Sequence, residues 1–169
     1  LLLFVLGSLH TVWAQCAPRC RCLDKGSVIT CRSSGLVYMP VPMPSTAIVL
    51  DLDHNHISVL SNHSLLAVPR LEILSLQDNG MLYVEAGIFD HLRDLLILRL
   101  GRNNLAHLPP DVFEYNQKLE VLDLHQNQFR GSMPDAIFAP LHSLQVLNMS
   151  FNDLDSASLK TGFRALARM

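Results

Sequence analysis

The chain has 169 residues, a length that permits a single domain. Its formal net charge of −2 at pH 7 gives no case for binding nucleic acid or acidic membranes, since both require a basic surface. No stretch of the sequence is of low complexity.

The chain opens with an apolar run, LLLFVLGSLHTVWA, that ends in small residues. Val12 and Ala14 stand three residues and one residue before Gln15, as at a signal cleavage site, and the run is too short for the roughly 20 apolar residues that cross a bilayer. We therefore predict a secretory signal peptide over residues 1–14. The alternative is a buried strand or helix, which the cysteines that follow disfavour. With no initiator Met or basic segment before the run, we expect the sequence to be incomplete at its N-terminus.

All four cysteines follow this segment closely, at Cys16, Cys20, Cys22 and Cys31. In a secreted protein four clustered cysteines predict two disulfide bonds, with three possible pairings. A zinc site is the alternative, but two cysteines separated by one residue suit a closed tetrahedral site poorly, and a signal peptide favours oxidation. We interpret residues 15–44 as a cysteine-rich N-terminal cap.

The stretch LDLDHNHI first suggests a calcium loop, because Asp51, Asp53 and Asn55 alternate with other residues. The EF-hand pattern needs a Gly next and a Glu at the twelfth position, where this chain has His56 and Asn62. The calcium interpretation therefore fails at both positions.

The pattern of this stretch recurs four times along the chain, as LSLQDNGM, LRLGRNNL, LDLHQNQF and LNMSFNDL. The Asn of each copy follows the previous one after 24, 24, 24 and 25 residues. A fixed period in this range, with leucines at alternate positions, is typical of repeats that stack on one another. We predict five repeats over residues 45–169. The shared asparagines are Asn55, Asn79, Asn103, Asn127 and Asn152.

Each shared position has a physical role. Alternating leucines such as Leu50 and Leu52 point to the same face of a short strand, and stacked repeats bury them in one continuous core. The Asn follows the strand, where its amide pairs with backbone groups that the stack would otherwise leave unpaired, so the five asparagines are predicted to form a structural ladder. Further core positions follow in the return segment: Leu60, Val84 and Leu108, then Leu65, Phe89, Phe113, Phe138 and Phe163.

On these residues the chain resembles extracellular leucine-rich repeat proteins of the 24-residue type, over roughly residues 26–169. A degenerate first unit has Ser34 in place of the Asn. The resemblance implies an α/β solenoid, the leucine-rich repeat horseshoe, with a parallel β-sheet on its concave face. The convex side has too much Pro, Gly and Asn for regular helices, so we expect loops and short helical turns there. The cysteine spacing resembles the N-terminal cap of the same proteins, whose usual pairing would join Cys16 to Cys22 and Cys20 to Cys31.

Eight histidines invite a catalytic or metal-binding interpretation, but no zinc-protease, serine-hydrolase or phosphate-loop motif is present. His54 and His56 flank the first ladder Asn and are interpreted as surface residues, not as metal ligands. Asp123, His125 and Ser150 resemble a catalytic trio, which we discount because a polar concave surface produces such trios often. We expect no enzymatic activity, no cofactor and no metal.

The strand residues between the core leucines face the concavity and change in type from repeat to repeat. A rigid scaffold with a varied face suits protein recognition, although ordinary solvated surface gives the same pattern. One column is aliphatic and is either an apolar binding stripe or, more commonly, β-branched strand filler. The columns are Asp51, Ser75, Arg99, Asp123 and Asn148; Asp53, Gln77, Gly101, His125 and Ser150; and Val49, Ile73, Ile97, Val121 and Val146.

The charge of this face varies: repeat 1 is acidic, and repeat 3 is basic through Arg99 and Arg102. Gly101 between them is expected to leave room for close approach, and Arg99 is expected to pair with Asp123 on the next strand. Since Arg makes paired hydrogen bonds to carboxylates, we predict that a protein ligand docks across repeats 2–4. The predicted contact residues are Gln77, Arg99, Arg102 and His125.

Two N-x-S sequons predict N-linked glycans at Asn62 and Asn148. Asn62 lies in the return segment of repeat 1, away from the sheet, where a glycan is harmless. Asn148 projects into the concavity, so a glycan there would cover the last repeats.

The sequence thus predicts an extracellular module whose partner is a protein ligand or co-receptor. The segment LPPDVFEYNQKLEVLDLHQN resembles repeats of Toll and Toll-like receptors, which favours a receptor ectodomain for ligand recognition or cell adhesion. A secreted matrix protein similar to the small leucine-rich proteoglycans is the alternative, and the near-constant period argues against it. Because no second cysteine cluster follows the last repeat, we expect a C-terminally truncated sequence. Membrane attachment would then use a missing segment, and the open core edge would be adhesive at Leu147, Met149, Leu154 and Phe163.

Overall fold

The computed structural model describes residues 16–61 and 63–155. The predicted signal peptide, Asn62 and Phe163 lie outside these residues. Within them the secondary structure consists of short strands, with 3-10 turns at Asp24–Gly26 and Asp135–Ile137. The strands are β1 (Arg21–Leu23), β2 (Val28–Thr30), β3 (Val49–Asp51), β4 (Ile73–Ser75), β5 (Ile97–Arg99), β6 (Val121–Asp123), β7 (Arg130–Gly131), β8 (Val146–Asn148) and β9 (Asp153–Leu154).

Seven of these strands form one sheet in the order β1-β2-β3-β4-β5-β6-β8. The first pair is antiparallel, and every later pair is parallel. Each repeat contributes one strand, and equivalent residues lie side by side, as in the pairing of Leu50 with Leu74 and of Leu74 with Leu98. The predicted solenoid with a parallel sheet is therefore confirmed, as is the expectation of loops and short turns in place of regular helices.

The core lies behind the sheet and is continuous from the cap through the repeats. The alternating leucines of repeats 1–4 are fully buried, and burying each contributes roughly 1.5–3 kcal/mol. The rings of Phe89 and Phe113 stack in the return segments, with centroids 6.1 Å apart. The other return-segment residues predicted for the core are also buried: Leu60, Leu65, Val84, Leu108 and Phe138.

The ladder asparagines connect each repeat to the preceding one. The Asn103 Oδ1 accepts the backbone N–H groups of Asn79 and Met81, both at 3.0 Å. Its Nδ2 donates to the carbonyls of Leu76 and Leu100, both at 2.9 Å. Equivalent bonds from the side chains of Asn55, Asn79, Asn127 and Asn152 reach the preceding repeat at 2.9–3.2 Å. The turn after each strand therefore has its backbone groups satisfied, although it is buried.

The N-terminal cap is a hairpin of β1 and β2 held by two disulfide bonds, Cys16–Cys22 and Cys20–Cys31. Because β2 also pairs in parallel with β3, the hairpin extends the sheet beyond the first repeat. Cys31 is buried in the same core as the repeat leucines. The cap thus covers the apolar end that the first repeat would otherwise expose.

Repeat 4 is one residue longer than the others, and the structure there differs from the regular pattern. β7 pairs in parallel with β9, and the two strands form a second sheet. Both strands follow the ladder Asn of their repeats. Gly131 in β7 has a φ of +62°, which glycine adopts without the steric cost of a side chain. No pattern in the sequence predicts this sheet.

Candidate functional site

The concave face consists of the side chains of β2–β6 and β8 that point away from the core, together with the residues that follow each strand. Because the strands align residue for residue, each column of side chains runs straight across the repeats. The aliphatic column of Val49, Ile73, Ile97 and Val121 is half-buried, and Val146 at its end is half-exposed.

Asp53, in the acidic part of this face, has its hydrogen-bond partners within the chain. Asp53 is 4% exposed. Its Oδ1 accepts the Ser75 hydroxyl at 2.6 Å and the Gln77 backbone N–H at 2.8 Å, and its Oδ2 accepts Arg32 Nη1 at 2.8 Å. Gln77, a predicted ligand contact, also donates its Nε2 to Asp53 at 3.3 Å. These partners on both oxygens offset the cost of burying the Asp53 carboxylate.

A second chain of contacts crosses the cap and repeats 1 and 2. Arg32 Nη2 lies 2.7 Å from His54 Nε2, and His54 Nδ1 lies 2.6 Å from Asp78 Oδ2. The imidazole of His54 thus bridges a guanidinium and a carboxylate. Arg32 also pairs with Asp53 at 2.8 Å and lies 3.9 Å from Asp51. A single guanidinium therefore serves three carboxylates, and this part of the face keeps a net negative charge.

His125, another predicted contact, has a structural role. Its Nδ1 lies 2.8 Å from Asp123 Oδ1, and its side chain is 19% exposed. The ring covers Gly101, where an added Cβ would overlap it. The expectation that Gly101 leaves room for a ligand is wrong, because the imidazole of the next strand already fills that space.

The expected pair of Arg99 with Asp123 is not formed, although the two residues are aligned on β5 and β6. Asp123 instead accepts the backbone N–H and the ring of His125. Among residues 16–61 and 63–155, no ion pair or side-chain hydrogen bond involves Arg99 or Arg102. Arg99 is half-buried and Arg102 is exposed, so both cations are available at the centre of the concave face.

A further column, which was not predicted from the sequence, is formed by the residue directly before each ladder Asn. All five members have a left-handed backbone, with φ between 52° and 58°. This conformation turns the chain at the edge of the sheet, and four of the five members are exposed. The repeat alignment could have located the column, but no local signal gives its backbone conformation. We name it the rim column: His54, Asp78, Arg102, Gln126 and Phe151.

The discounted catalytic trio remains unsupported by the geometry. The Ser150 hydroxyl donates to Asn148 Oδ1 at 2.8 Å, and not to His125. Asn148 itself is half-buried at the end of β8. Within the described part of the chain, no group of three or more His, Cys, Asp or Glu side chains is placed to hold a metal ion.

None of the helical segments in the described ranges has the length and apolar character needed to span a membrane.

Comparison with known proteins identifies the family. The family model for the leucine rich repeat matches residues 48–105 and 93–154, which together cover more than half of the chain. The chain belongs to the leucine-rich repeat family. Its cap, ladder and parallel sheet are therefore those of a leucine-rich repeat solenoid.

Several curated leucine-rich repeat proteins are similar to this one over about half of its length. Leucine-rich repeat-containing protein 3 of Danio rerio is 31% identical over 83 residues, covering 48% of this chain and 31% of that protein. The human leucine-rich repeat and immunoglobulin-like domain-containing nogo receptor-interacting protein 1 is 35% identical over 75 residues, covering 44% of this chain and 12% of that protein. The match thus spans less than a third of either relative.

Among solved structures, human 5T4 (Wnt-activated inhibitory factor 1, trophoblast glycoprotein) superposes with a TM-score of 0.66 at 26% identity. The superposition covers 86% of this chain and 66% of that one. The leucine-rich repeat chain thus carries a disulfide-bonded cap and resembles extracellular and membrane glycoproteins.

Proposed function

We propose that this leucine-rich repeat chain is an extracellular protein-binding module, part of a receptor ectodomain for ligand recognition or cell adhesion. The Asn ladder and the paired leucines give it a rigid scaffold, and the concave columns vary over that scaffold. The proposed partner is a protein ligand or a co-receptor. In this proposal residues 1–14 are the signal peptide, residues 15–44 the cap and residues 45–169 the five repeats.

The observation that carries the proposal is the pair of uncompensated guanidinium groups, Arg99 and Arg102, in repeat 3. The nearby carboxylates Asp53 and Asp123 are already paired with groups of this chain. Arg is enriched at binding hot spots, since its planar fork makes two hydrogen bonds to one carboxylate. A ligand that approaches repeats 2–4 meets Arg99 and Arg102 first, while Gln77 and His125 support the surface from their internal networks.

The receptor interpretation is supported by similarity to proteins named as a nogo receptor-interacting protein and as a trophoblast glycoprotein. The Toll-like form of the proposal rests on the pattern of residues 108–127 alone. A secreted matrix protein is the alternative, and the full coding sequence distinguishes the two.

The test uses the full-length protein, secreted from animal cells and multimerised, against a panel of purified secreted and cell-surface ectodomains. We expect at least one ectodomain to bind, and we expect its affinity to fall at least tenfold in Arg99→Glu and in Arg102→Glu. The matched control is Arg70→Glu, an exposed arginine ahead of β4 and off the concave face. Circular dichroism and secretion yield confirm that each variant folds.

Unchanged affinity in both concave variants would contradict this proposal. Loss of affinity in a convex variant such as Glu114→Arg, with both concave variants unaffected, would move the binding site to the opposite face.

A further inference from the structure

The rim column is an aligned feature of the fold. His54, Asp78, Arg102 and Gln126 each donate the backbone N–H to a carbonyl of the following repeat, as Arg102 does to His125 and Gln126 does to Ser150, both at 2.8 Å. The rim residues of repeats 3, 4 and 5 are therefore fixed side by side at the spacing of neighbouring strands, about 4.8 Å.

Phe151 is the member of the rim column that folding does not explain. Its φ of 58° is unfavourable for an L-residue with a bulky side chain, and glycine or asparagine would adopt it more readily. Its side chain is also 81% exposed, which makes it the most exposed large hydrophobic residue in the described ranges. An aromatic ring held outward on a strained backbone contributes almost nothing to the core, so its contribution is to a surface.

The rim column is divided electrostatically. In repeats 1 and 2, the side chains of His54 and Asp78 contact each other, with Nδ1 and Oδ2 2.6 Å apart. In repeats 3 to 5, the exposed side chains of Arg102, Gln126 and Phe151 present in turn a cation, an amide and an aromatic ring. Arg99, at the end of β5 in the same repeat as Arg102, adds a second uncompensated cation.

We propose that the rim from Arg102 to Phe151 binds a polyproline-II segment of a partner protein that carries an acidic and an apolar side chain three residues apart. The carboxylate pairs with Arg102 as a bidentate acceptor, and the apolar side chain packs on Phe151. The amide of Gln126 hydrogen-bonds the backbone of the segment between them. This inference rests on the proposed function, names the chemistry of the ligand, and moves part of the contact from the strands to the rim.

The spacing follows from two regular dimensions. Arg102 and Phe151 are two repeats apart, which is about 10 Å across the sheet. A polyproline-II segment has three residues per turn and advances about 3.1 Å per residue, so three residues cover about the same distance and return to the same face. A segment lying across the strands therefore brings its first and fourth side chains over the cation and the ring.

The test is selection of a displayed library of random eight-residue peptides on the full-length secreted protein. We expect enrichment of peptides with Asp or Glu and an apolar residue at positions i and i+3. Affinity for a synthetic enriched peptide should fall at least tenfold in Arg102→Glu and in Phe151→Ala. Repeating the selection on Arg102→Glu should replace the enriched acidic residue by Lys or Arg, a change that simple misfolding does not produce.

The matched controls are Arg70→Glu for the charge reversal and Tyr38→Ala for the ring, since Tyr38 is 80% exposed and lies in the cap. Neither should alter the enriched motif. The Asn148→Gln protein is selected in parallel, because a glycan on Asn148 would lie in the same repeat as Phe151.

Four results would overturn the inference. The first is that no peptide is enriched, and the second is that the enriched motif survives Phe151→Ala. The third is that peptides bind only the Asn148→Gln protein. The fourth is that heparin binds through Arg99 and Arg102 while no peptide motif is found. If binding is lost in Arg99→Glu but survives in Phe151→Ala, the inference about the rim fails and the concave binding site stands. If neither concave nor rim substitutions matter, both fail.

Discussion

Gly101 lies directly beneath the imidazole of His125, so closely that a Cβ on residue 101 would overlap the ring. The ring belongs to the next repeat and is held there by Asp123. The glycine has no positive φ, so the position depends on space and not on backbone freedom. Two repeats are thus fitted together on the concave face by the absence of a single side chain.

Gly101→Ala should destabilise the protein by about 1–3 kcal/mol, because the added methyl group displaces a tethered ring. The measurement is urea denaturation. His125→Ala removes the obstacle, so the double variant should lose less stability than the sum of the two single variants. Additive losses would mean that the ring moves aside freely.

Asn103→Ala should cost on the order of 3 kcal/mol, since it leaves the N–H groups of Asn79 and Met81 without an acceptor in a buried turn. Asn152→Ala should cost roughly 1 kcal/mol, because Asn152 is only half-buried and water can replace its bonds. Chemical denaturation and secretion yield both report the difference. Equal losses at the two positions would refute a role of burial in the ladder.

Phe151→Asn should leave the fold intact and raise stability by about 0.5–1 kcal/mol, since asparagine tolerates the left-handed backbone better than phenylalanine. The control is Tyr38→Asn, a similarly exposed aromatic residue without a positive φ, where no gain is expected. Thermal unfolding of both variants provides the comparison. A loss of stability at residue 151 would show that the ring contributes to packing.

Asp94→Asn should lower the pKa of Lys118 toward its ordinary value. The hydrogen bond from Lys118 Nζ to Asp94, 2.7 Å long, and the charge of that carboxylate raise the pKa of Lys118. A raised pKa stabilises the fold at neutral pH, and this contribution is lost as pH rises through the raised value. Because the pair is exposed, the unfolding midpoint at pH 7 should not change measurably. A side-chain NMR titration of Lys118 that is the same in both proteins would contradict this assignment.

Glycan mapping tests the extracellular prediction. Enzymatic release of N-glycans in heavy-oxygen water, followed by peptide mapping, should mark Asn62 and Asn148 in protein secreted from animal cells. The Asn148 side chain already accepts the hydroxyl of Ser150 through its oxygen. A glycan on Asn148 would leave repeats 2–4 as the bare part of the concave face. An unmodified Asn62 would count against an extracellular location.

The repetition of the sequence was sufficient to predict the scaffold. Leu50 recurs as Leu74 and Leu98, and each must occupy the same place in its repeat because only stacking buries it. The asparagines recur with them, and the buried turn explains why their amides are needed. Such positions are determined by burial and by backbone hydrogen bonding, which leave few choices of residue.

The functional surface followed less directly from the sequence. Arg99 and Arg102 were predicted as contacts and are exposed or half-buried on the concave face, but Gln77 and His125 are committed to Asp53 and Asp123. Opposite charges on aligned strands suggested that Arg99 pairs with Asp123. The carboxylate instead pairs with His125, because the space above Gly101 brings that ring closer.

The sequence alone thus determined the period, the core, the ladder and the presence of a cysteine cap, since these depend on patterns that repeat along the chain. The tertiary structure decided which polar side chains are compensated, and it placed Phe151 outward on a left-handed backbone. The physical reason is that partners such as Asp53 and Ser75, or Gly101 and His125, come from different repeats. Whether a surface group is free depends on these contacts between neighbouring repeats, which the order of residues within one repeat does not specify.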